Sequence, residues 1–279
     1  MAKAIYMRFP QGRKKTLTYS YDDGVETDIR FMDILDKYNM KGTFNINSGL
    51  YAPEGMVYPE GTVHRRMSKS QCAQVYKNHE VAVHALTHPF LEELSVEHCT
   101  YEIIEDRKNL EQLTGKTVRG MAYPFGTHSN QVVDVLRCCG IAYARTTVSS
   151  YKFNLPQDWL RLPATCHHRD PRLMELAKNF VELDLTNRAS KMFYLWGHTY
   201  EFDGNDNWYI IEEFAEYMAN REDEIWYATN IEIYDYIKAY EQLIFDVCGT
   251  MCTNPTATEV WFEKDGKMYS VKSGETIYF

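Results

Sequence analysis

The chain alternates between short apolar strand patterns and amphipathic helix patterns about seven times. The first strand pattern covers residues 16–21, where Leu17, Tyr19 and Tyr21 alternate with small hydroxyl residues. A helix pattern follows over residues 28–38, and the same order repeats along the chain. This order predicts parallel strands joined by helical crossovers. The fold class is therefore α/β, a sheet or barrel with helices outside it.

The composition is that of an ordinary globular protein, with 279 residues, 44% of them hydrophobic and 25% charged. The net charge of -9 disfavours nucleic acid and anionic membranes as partners. The seven cysteines lack metal-knuckle or redox spacing, so we expect reduced thiols. No stretch has the ~18 continuous apolar residues of a membrane span. The first eight residues lack a signal-peptide pattern, which predicts a cytoplasmic location.

The end of the chain differs from the rest. It contains short strand patterns at residues 260–262, 267–271 and 276–279. Turn residues separate these patterns, which is typical of antiparallel hairpins. We therefore predict a main domain over residues 1–245 and a small antiparallel β appendage over residues 246–279, too short to be stable alone.

Two adjacent carboxylates, Asp22 and Asp23, end the first strand pattern, and Gly24 lets the chain turn after them. Catalytic groups in βα folds lie at the carboxyl ends of strands. Two neighbouring acids are costly to bury when both are ionised, so the pair indicates a nearby cation or a shared proton. The same residues also fit a solvated turn.

Histidines end two further strand patterns. His84 ends the strand pattern at residues 80–84, and His88 lies four residues later. His198 lies just after the strand pattern at residues 191–196. Two histidines and a carboxylate from another strand end form a set that binds Zn²⁺ or another first-row divalent ion. Such a set leaves open positions for water and substrate. Taken singly, each histidine also fits a surface or core position.

Four motifs in this order resemble the polysaccharide deacetylase family, carbohydrate esterase family 4 or the NodB-homology domain. The matches are Ser20-Tyr21-Asp22-Asp23-Gly24 to T-F-D-D-G, His84-Ala85-Leu86-Thr87-His88 to H-[ST]-x-x-H, Pro124-Phe125-Gly126 to P-Y-G, and Leu195-Trp196-Gly197-His198 to L-x-x-H. The resemblance extends over residues 13–240. It implies a distorted (β/α)7 barrel, which agrees with the alternation of strands and helices.

The resemblance also implies a role for each matching residue. Asp22 is expected to be the general base and His198 the general acid. Asp23, His84 and His88 are the expected ligands of one divalent metal ion. Zinc is the first choice, with cobalt, nickel, iron and manganese as alternatives.

The remaining matches imply substrate contacts. The backbone N–H of Phe125 corresponds to an oxyanion-hole donor, and Tyr123 lies beside it. Leu195 is expected to line an acetyl pocket, with Trp196 next to it. His168, in an adjacent pair of histidines, is a further candidate for a substrate contact.

The chain departs from the family pattern near the catalytic acids. Many members have an arginine that pairs with the catalytic carboxylate at the position of Ala122, and here Arg119 lies three residues earlier. Asp158 begins an Asp-Trp pair that resembles the family's fourth motif, so we expect it to assist His198. Arg161 is the candidate partner of the base. Glu201 and Asp203, just past His198, could support that histidine or bind sugar hydroxyls.

These observations together predict a metal-dependent hydrolase of linear amide or ester bonds. Its expected reaction is removal of acetyl groups from an N- or O-acetylated carbohydrate. The alternatives are an intracellular hydrolase of another C–N bond (a cyclic ureide, formamide or small amide) and a non-catalytic carbohydrate-binding relative. An iron oxygenase with a 2-His-1-carboxylate site is more remote. The expected partners are an acetylated sugar or a small amide, and a homo-oligomer is an open alternative.

Overall fold

The computed structural model describes residues 4–279, so the first three residues of the stretch searched for a leader lie outside it. The helices are α1 Asp28–Lys37, α2 Lys69–Val75, α3 Val96–Thr114, α4 Asn130–Cys138, α5 Leu173–Glu182, α6 Tyr200–Gly204, α7 Tyr209–Met218 and α8 Asn230–Glu241. The strands are β1 Ile5–Arg8, β2 Lys15–Asp22, β3 Gly42–Ile46, β4 Glu80–Val83, β5 Gly120–Ala122, β6 Tyr143–Ser149, β7 Leu162–Ala164, β8 Cys166–His167, β9 Lys191–Gly197, β10 Ile225–Tyr227, β11 Ile244–Phe245, β12 Met251–Thr253, β13 Val260–Lys264, β14 Lys267–Val271 and β15 Thr276–Tyr278.

Parallel strands form the central barrel in the order β7-β6-β5-β4-β3-β2-β9-β8. Only Thr165 separates β7 from β8. Because β7 pairs with β6 while β8 pairs with β9, this single run of chain joins the two edges of the sheet. Counted as one strand, it makes a closed barrel of seven strands. The predicted distorted (β/α)7 barrel is therefore confirmed.

Capping residues set several helix boundaries. Ser68 and Gln71 form a capping box at the start of α2, and Thr229 and Glu232 form one at the start of α8. Gly115 ends α3 in a left-handed conformation, with φ of 67°. The last helix, α8, ends at Glu241, and the chain turns there into β11.

The C-terminal strands are antiparallel, as predicted, but they do not stand alone. β13 pairs with β14 and also with β1, a strand that the sequence analysis did not predict. A second small sheet has the order β11-β12-β15. The chain start is thus built into the same sheet as the C-terminal extension. The division at residue 245 stays a prediction.

Side chains alternate between the two faces of β2, as they do along any strand. Tyr19 and Tyr21 pack outward against Phe31 of α1, with ring centroids 5.9 and 4.1 Å away. Ser20 and Asp22 face the interior. This alternation brings the carboxylate of Asp22 to the inner end of β2.

Two further features bear on the predictions. The seven cysteines are free thiols. Within residues 4–279, no helix combines the length and the apolar character needed to cross a membrane.

Candidate active site

The candidate site lies where the carboxyl ends of β2, β4, β5 and β9 meet. Asp22 and Asp23 come from the end of β2, and His198 follows β9 directly. His84 and His88 follow β4, and Phe125 follows β5. Parallel strands place their carboxyl ends at one rim of a barrel, so residues far apart in sequence converge.

Asp23, His84 and His88 form what we call the Asp23 cluster. Their side-chain ligand atoms all lie within 4.8 Å of one another. His84 Nε2 is 4.0 Å from Asp23 Oδ1, and the two histidine rings are 4.7 Å apart between centroids. The structure therefore brings the three predicted metal ligands together.

The protonation of this cluster suits a divalent cation. His84 Nδ1 donates its hydrogen to the carbonyl of Ala122 at 2.8 Å, which leaves the Nε2 lone pair facing the two aspartates. Burial lowers the pKa of His84, and it lowers the pKa of His88 to about 4. Burial would raise the pKa of Asp23, but contacts from His64, His84 and Arg66 hold it well below its usual range. Neutral imidazoles and an ionised carboxylate are the donors that a first-row cation needs.

Asp23 is oriented by two residues of the long loop between β3 and α2. Arg66 donates to the Asp23 backbone oxygen at 2.6 Å and to Oδ1 at 3.2 Å. His64 Nε2 lies 3.2 Å from Oδ2. These contacts keep the carboxylate fixed and ionised.

Left-handed backbone conformations are concentrated at the site. Asp23 has φ of 85°, Ala85 of 60°, His88 of 58° and Phe125 of 58°. Such conformations cost non-glycine residues about 1–3 kcal/mol each, so they persist only where the surroundings enforce them. These conformations indicate that tertiary contacts around the site, and not the backbone preferences of the residues, set the loop conformations.

Buried carboxylates of α3 hold the histidine loop from behind. Asp106 accepts hydrogen bonds from the backbone N–H groups of Ser48, at 2.7 Å, and His84, at 3.0 Å. Glu102, one helical turn away, accepts from the N–H of Thr87 at 2.8 Å and from its hydroxyl at 2.7 Å. These bonds satisfy loop amides that would otherwise be buried without partners.

Asp22 is paired with Arg145, a residue that the sequence analysis did not select. Arg145, fully buried in β6, reaches both carboxylate oxygens of Asp22, with Oδ1 at 2.6 Å. Asn45 donates to the same Oδ1 at 2.8 Å. Burial would raise the pKa of Asp22, but Arg145, His84 and His198 together outweigh burial and lower that pKa. The expected base, Asp22, is thus paired with an arginine from another strand.

The arginines considered from sequence lie elsewhere. Arg119 pairs with Asp235 at 2.6 Å, and Arg161 pairs with Asp158 at 2.8 Å, all near the surface. In the described part of the chain, neither Asp158 nor Arg161 has an ion pair with Asp22 or His198. Asp158 and Arg161 are three residues apart on one 3₁₀ turn, so they satisfy each other locally. The structure does not bring these two candidates to the catalytic pair.

Glu201 lies at the centre of a second group, which we call the Glu201 cluster, with His167, His168 and His198. His168 Nε2 is 3.1 Å and His167 Nε2 is 3.4 Å from Glu201 Oε2. His198 Nδ1 is 3.5 Å from Oε1, while its Nε2 points toward Asp22 Oδ2 at 3.8 Å. Glu201, noted only as one possible support of His198, therefore holds the place that we had expected for Asp158.

The Glu201 cluster presents protons where the Asp23 cluster presents lone pairs. Nδ1 of His167 accepts a hydrogen bond from the backbone N–H of Arg169 at 3.1 Å, so its own hydrogen sits on Nε2 and faces Glu201. Burial would raise the pKa of Glu201, but the close contacts of His168 and His198 with its carboxylate hold that pKa well below its usual range. Burial opposes protonation of His198, yet Glu201 and Asp22 outweigh it and raise the pKa of that histidine.

The expected substrate contacts are divided between the cleft and the core. Phe125 is half exposed, and Trp196 lies under Arg145 at 4.5 Å and beside His167. Tyr123 is buried and donates its hydroxyl hydrogen to the carbonyl of Leu160. His168 is buried against Phe202, with the ring centroids 4.1 Å apart.

Leu195 is fully buried in the layer between sheet and helices. The alternation of side chains along β9 explains this position, because Trp196, the next residue, takes the inner face. The structure therefore places Trp196, and not Leu195, beside Arg145 and the predicted acid His198. An acetyl pocket lined by Leu195 is not formed by this side chain in its present position.

Arg145 left a weak signal in the sequence. It is a charged residue inside an apolar strand pattern, which indicates a buried partner. The partner itself comes from β2, and pairing across a barrel cannot be read from one sequence. Glu201 has the stronger local signal, because a carboxylate three residues after a histidine lies on the same face of a helical turn.

Comparison with known proteins adds the following. Residues 10–144 match the family model described as polysaccharide deacetylase, a match that includes Asp22 and Phe125 but ends before His198. No curated protein matches the chain.

Three solved structures illustrate the structural similarity. A Mycobacterium smegmatis protein assigned as a polysaccharide deacetylase has 15% identity and a TM-score of 0.56, covering 86% of this chain and 96% of its own. The Xyl-CE4 domain of a multidomain xylanase from the hindgut metagenome of Trinervitermes trinervoides has 15% identity and a TM-score of 0.50, covering 81% and 92%. The Streptococcus pyogenes deacetylase PplD in complex with acetate has 20% identity and a TM-score of 0.45, covering 52% of this chain and 61% of its own.

Proposed function

The chain belongs to the polysaccharide deacetylase family, and from this premise we propose that it is a metal-dependent hydrolase that removes acetyl groups from an N- or O-acetylated carbohydrate. One observation carries the proposal. The carboxylate of Asp22 lies between the Asp23 cluster, with His84 Nε2 at 3.9 Å, and the acid candidate His198, with Nε2 at 3.8 Å. A base beside a cation site and opposite a protonated histidine is the arrangement that acyl hydrolysis requires.

Asp23, His84 and His88 would hold the divalent ion, with zinc as the first choice for two imidazoles and one carboxylate. Such an ion supplies Lewis acidity, which activates water and polarises a carbonyl.

Asp22 acts as the general base in this proposal. Arg145 keeps its carboxylate ionised, so Asp22 is ready to accept a proton from the attacking water at neutral pH. Arg145 and Asn45 also occupy the side of the carboxylate that faces the barrel interior. The proton is therefore accepted on the side of the cleft.

His198 acts as the general acid. Glu201 fixes the ring through Nδ1 and favours its charged form, so Nε2 carries the proton that the departing amine or alcohol needs. The backbone N–H of Phe125, on its strained turn, would donate to the oxyanion of the tetrahedral intermediate. Base and acid thus start in opposite protonation states because their partners carry opposite charges.

The test is acetate release from acetylated chito-oligosaccharides, acetylated xylan and a panel of small amides. We expect release from at least one carbohydrate, loss of activity with EDTA and recovery with added Zn²⁺. Turnover confined to small amides or cyclic ureides would contradict the carbohydrate assignment. Turnover that is unaffected by EDTA and by His84→Ala would contradict the proposed metal dependence.

A further inference from the structure

Two exposed phenylalanine rings stand at the rim of the Asp23 cluster. Phe90 and Phe125 stack with centroids 3.9 Å apart and an angle of 12° between the ring planes. Phe90 is 41% exposed and Phe125 is 50% exposed. Phe125 also meets His88 edge to face, with centroids 4.5 Å apart. The apolar pair is therefore continuous with the proposed metal ligands.

The turns that carry the two rings are fixed by local geometry. Phe125 has φ of 58°, and the next residue, Gly126, lies so close to Thr147 that a Cβ atom there would be 2.2 Å from the Thr147 hydroxyl oxygen. Phe90 follows Pro89 and precedes the fully buried Leu91. Because both turns are anchored, the rings are held in the cleft before any ligand arrives, which reduces the entropy that binding costs.

Apolar and charged side chains both lie close to the Asp23 cluster, and they come from different elements. The phenylalanine pair follows β4 and β5, and Val148 of the neighbouring β6 is also exposed. The charged groups come from other elements: Arg66, in the loop after β3, contacts Asp23, and Glu201, after β9, contacts His198. A ligand bound at the Asp23 cluster therefore has both the apolar ring pair and charged groups close to it.

We propose that Phe90 and Phe125 form a subsite for the apolar face of a pyranose ring of the substrate, and that Phe90 sets the preference for sugars. This inference rests on the proposed function. A pyranose carries its hydroxyl groups around the edge and exposes C–H groups on its faces, so stacking on an aromatic pair removes apolar surface from water. A small linear amide has no such face and gains nothing from Phe90.

The experiment compares Phe90→Ala and Phe90→Trp with a matched control, Tyr209→Ala, which removes an exposed aromatic ring on α7. KM and kcat are measured on the N-acetylglucosamine pentamer and on ethyl acetate, an ester with no ring. Phe90→Ala should raise KM for the pentamer by about fivefold to tenfold, the effect of one lost aromatic stack, and leave kcat within about twofold. Phe90→Trp should restore KM, and hydrolysis of ethyl acetate should not change.

A binding measurement separates this inference from the proposed function. The glucosamine pentamer, which has no acetyl group to remove, is titrated calorimetrically into the wild type and each variant. Binding that Phe90→Ala weakens supports the subsite even if no acetylated sugar is hydrolysed, in which case only the proposed function fails. Equal KM and equal affinity in wild type and Phe90→Ala, or an equal loss in Tyr209→Ala, would overturn the subsite.

Discussion

The Asp23 cluster and the Glu201 cluster contain the same residue types, yet the hydrogen bonds around them differ. Each joins a carboxylate to histidines, and in each the ligand atoms of three residues lie within 4.8 Å of one another. The two clusters differ in the hydrogen bond that Nδ1 of one histidine makes outside each cluster. His84 Nδ1 donates to a carbonyl and leaves a lone pair facing inward, whereas His167 Nδ1 accepts from an N–H and leaves a hydrogen facing inward.

This comparison teaches that residue type alone does not define a metal site. The outer hydrogen bond decides whether a histidine offers a lone pair or a proton. In our account, the Asp23 cluster binds a cation, and the Glu201 cluster holds an ionised carboxylate that charges His198. Asp22 lies between the two clusters, and as the general base it acts together with the cation and with His198. The predictions below test this division, beginning with the largest expected effect.

Asp22→Asn removes the base that both clusters serve. We expect kcat to fall by about 1,000-fold, within the range for loss of one general base. Metal content should stay as in the wild type, because Asp22 is not a ligand in our account. The measurement is kcat on an acetylated oligosaccharide together with elemental analysis. Loss of the metal in this variant would move Asp22 into the metal cluster.

Arg145→Met leaves the buried carboxylate of Asp22 without its cationic partner. We expect a loss of about 3–5 kcal/mol in unfolding free energy, measured by chemical denaturation. The acidic limb of the pH profile should also move to higher pH, because the pKa of Asp22 rises when Arg145 is removed and the base must be ionised to act.

Arg119→Met is the matched control for this variant, since it breaks the exposed pair with Asp235. Arg119→Met should lower the unfolding free energy by less than about 1 kcal/mol. Equal costs in the two variants would contradict the role given to Arg145.

Glu201→Gln keeps the shape of the second cluster and removes its charge. We expect kcat to fall by about 10- to 100-fold, with the metal retained. The basic limb of the pH profile should move to lower pH, because Glu201 raises the pKa of His198 and the acid must be protonated to act. Asp158→Asn is the control and should change neither quantity, since Asp158 pairs with Arg161 on the surface. If Asp158→Asn lowered kcat and moved the basic limb while Glu201→Gln changed neither, Asp158 would be the partner of His198 instead.

The sequence predicted the α/β class, the family resemblance implied the barrel, and the residues predicted as metal ligands do lie close together. The alternation of strands and helices predicted the layers, and the motifs at strand ends predicted which residues meet. The closure through β7 and β8 was not predicted, because these strands are too short to leave a periodic pattern.

The residues that contact Asp22 and His198 were harder to predict from the sequence. Arg145 is 123 residues from Asp22, and only the folded barrel brings them together. Leu195 and Trp196 show a related limit, because a one-residue difference along a strand decides which of them faces the cleft. The tautomer of His167 depends on a backbone N–H two residues away, and no sequence motif records that contact.

The most direct test is metal content, measured by elemental analysis on wild type, His84→Ala and His167→Gln purified without chelator and then exposed to Zn²⁺. We predict about one equivalent in the wild type and in His167→Gln, and none in His84→Ala, because only the Asp23 cluster offers inward lone pairs. Two equivalents in the wild type, or a single equivalent that survives His84→Ala and is lost in His167→Gln, would contradict the account.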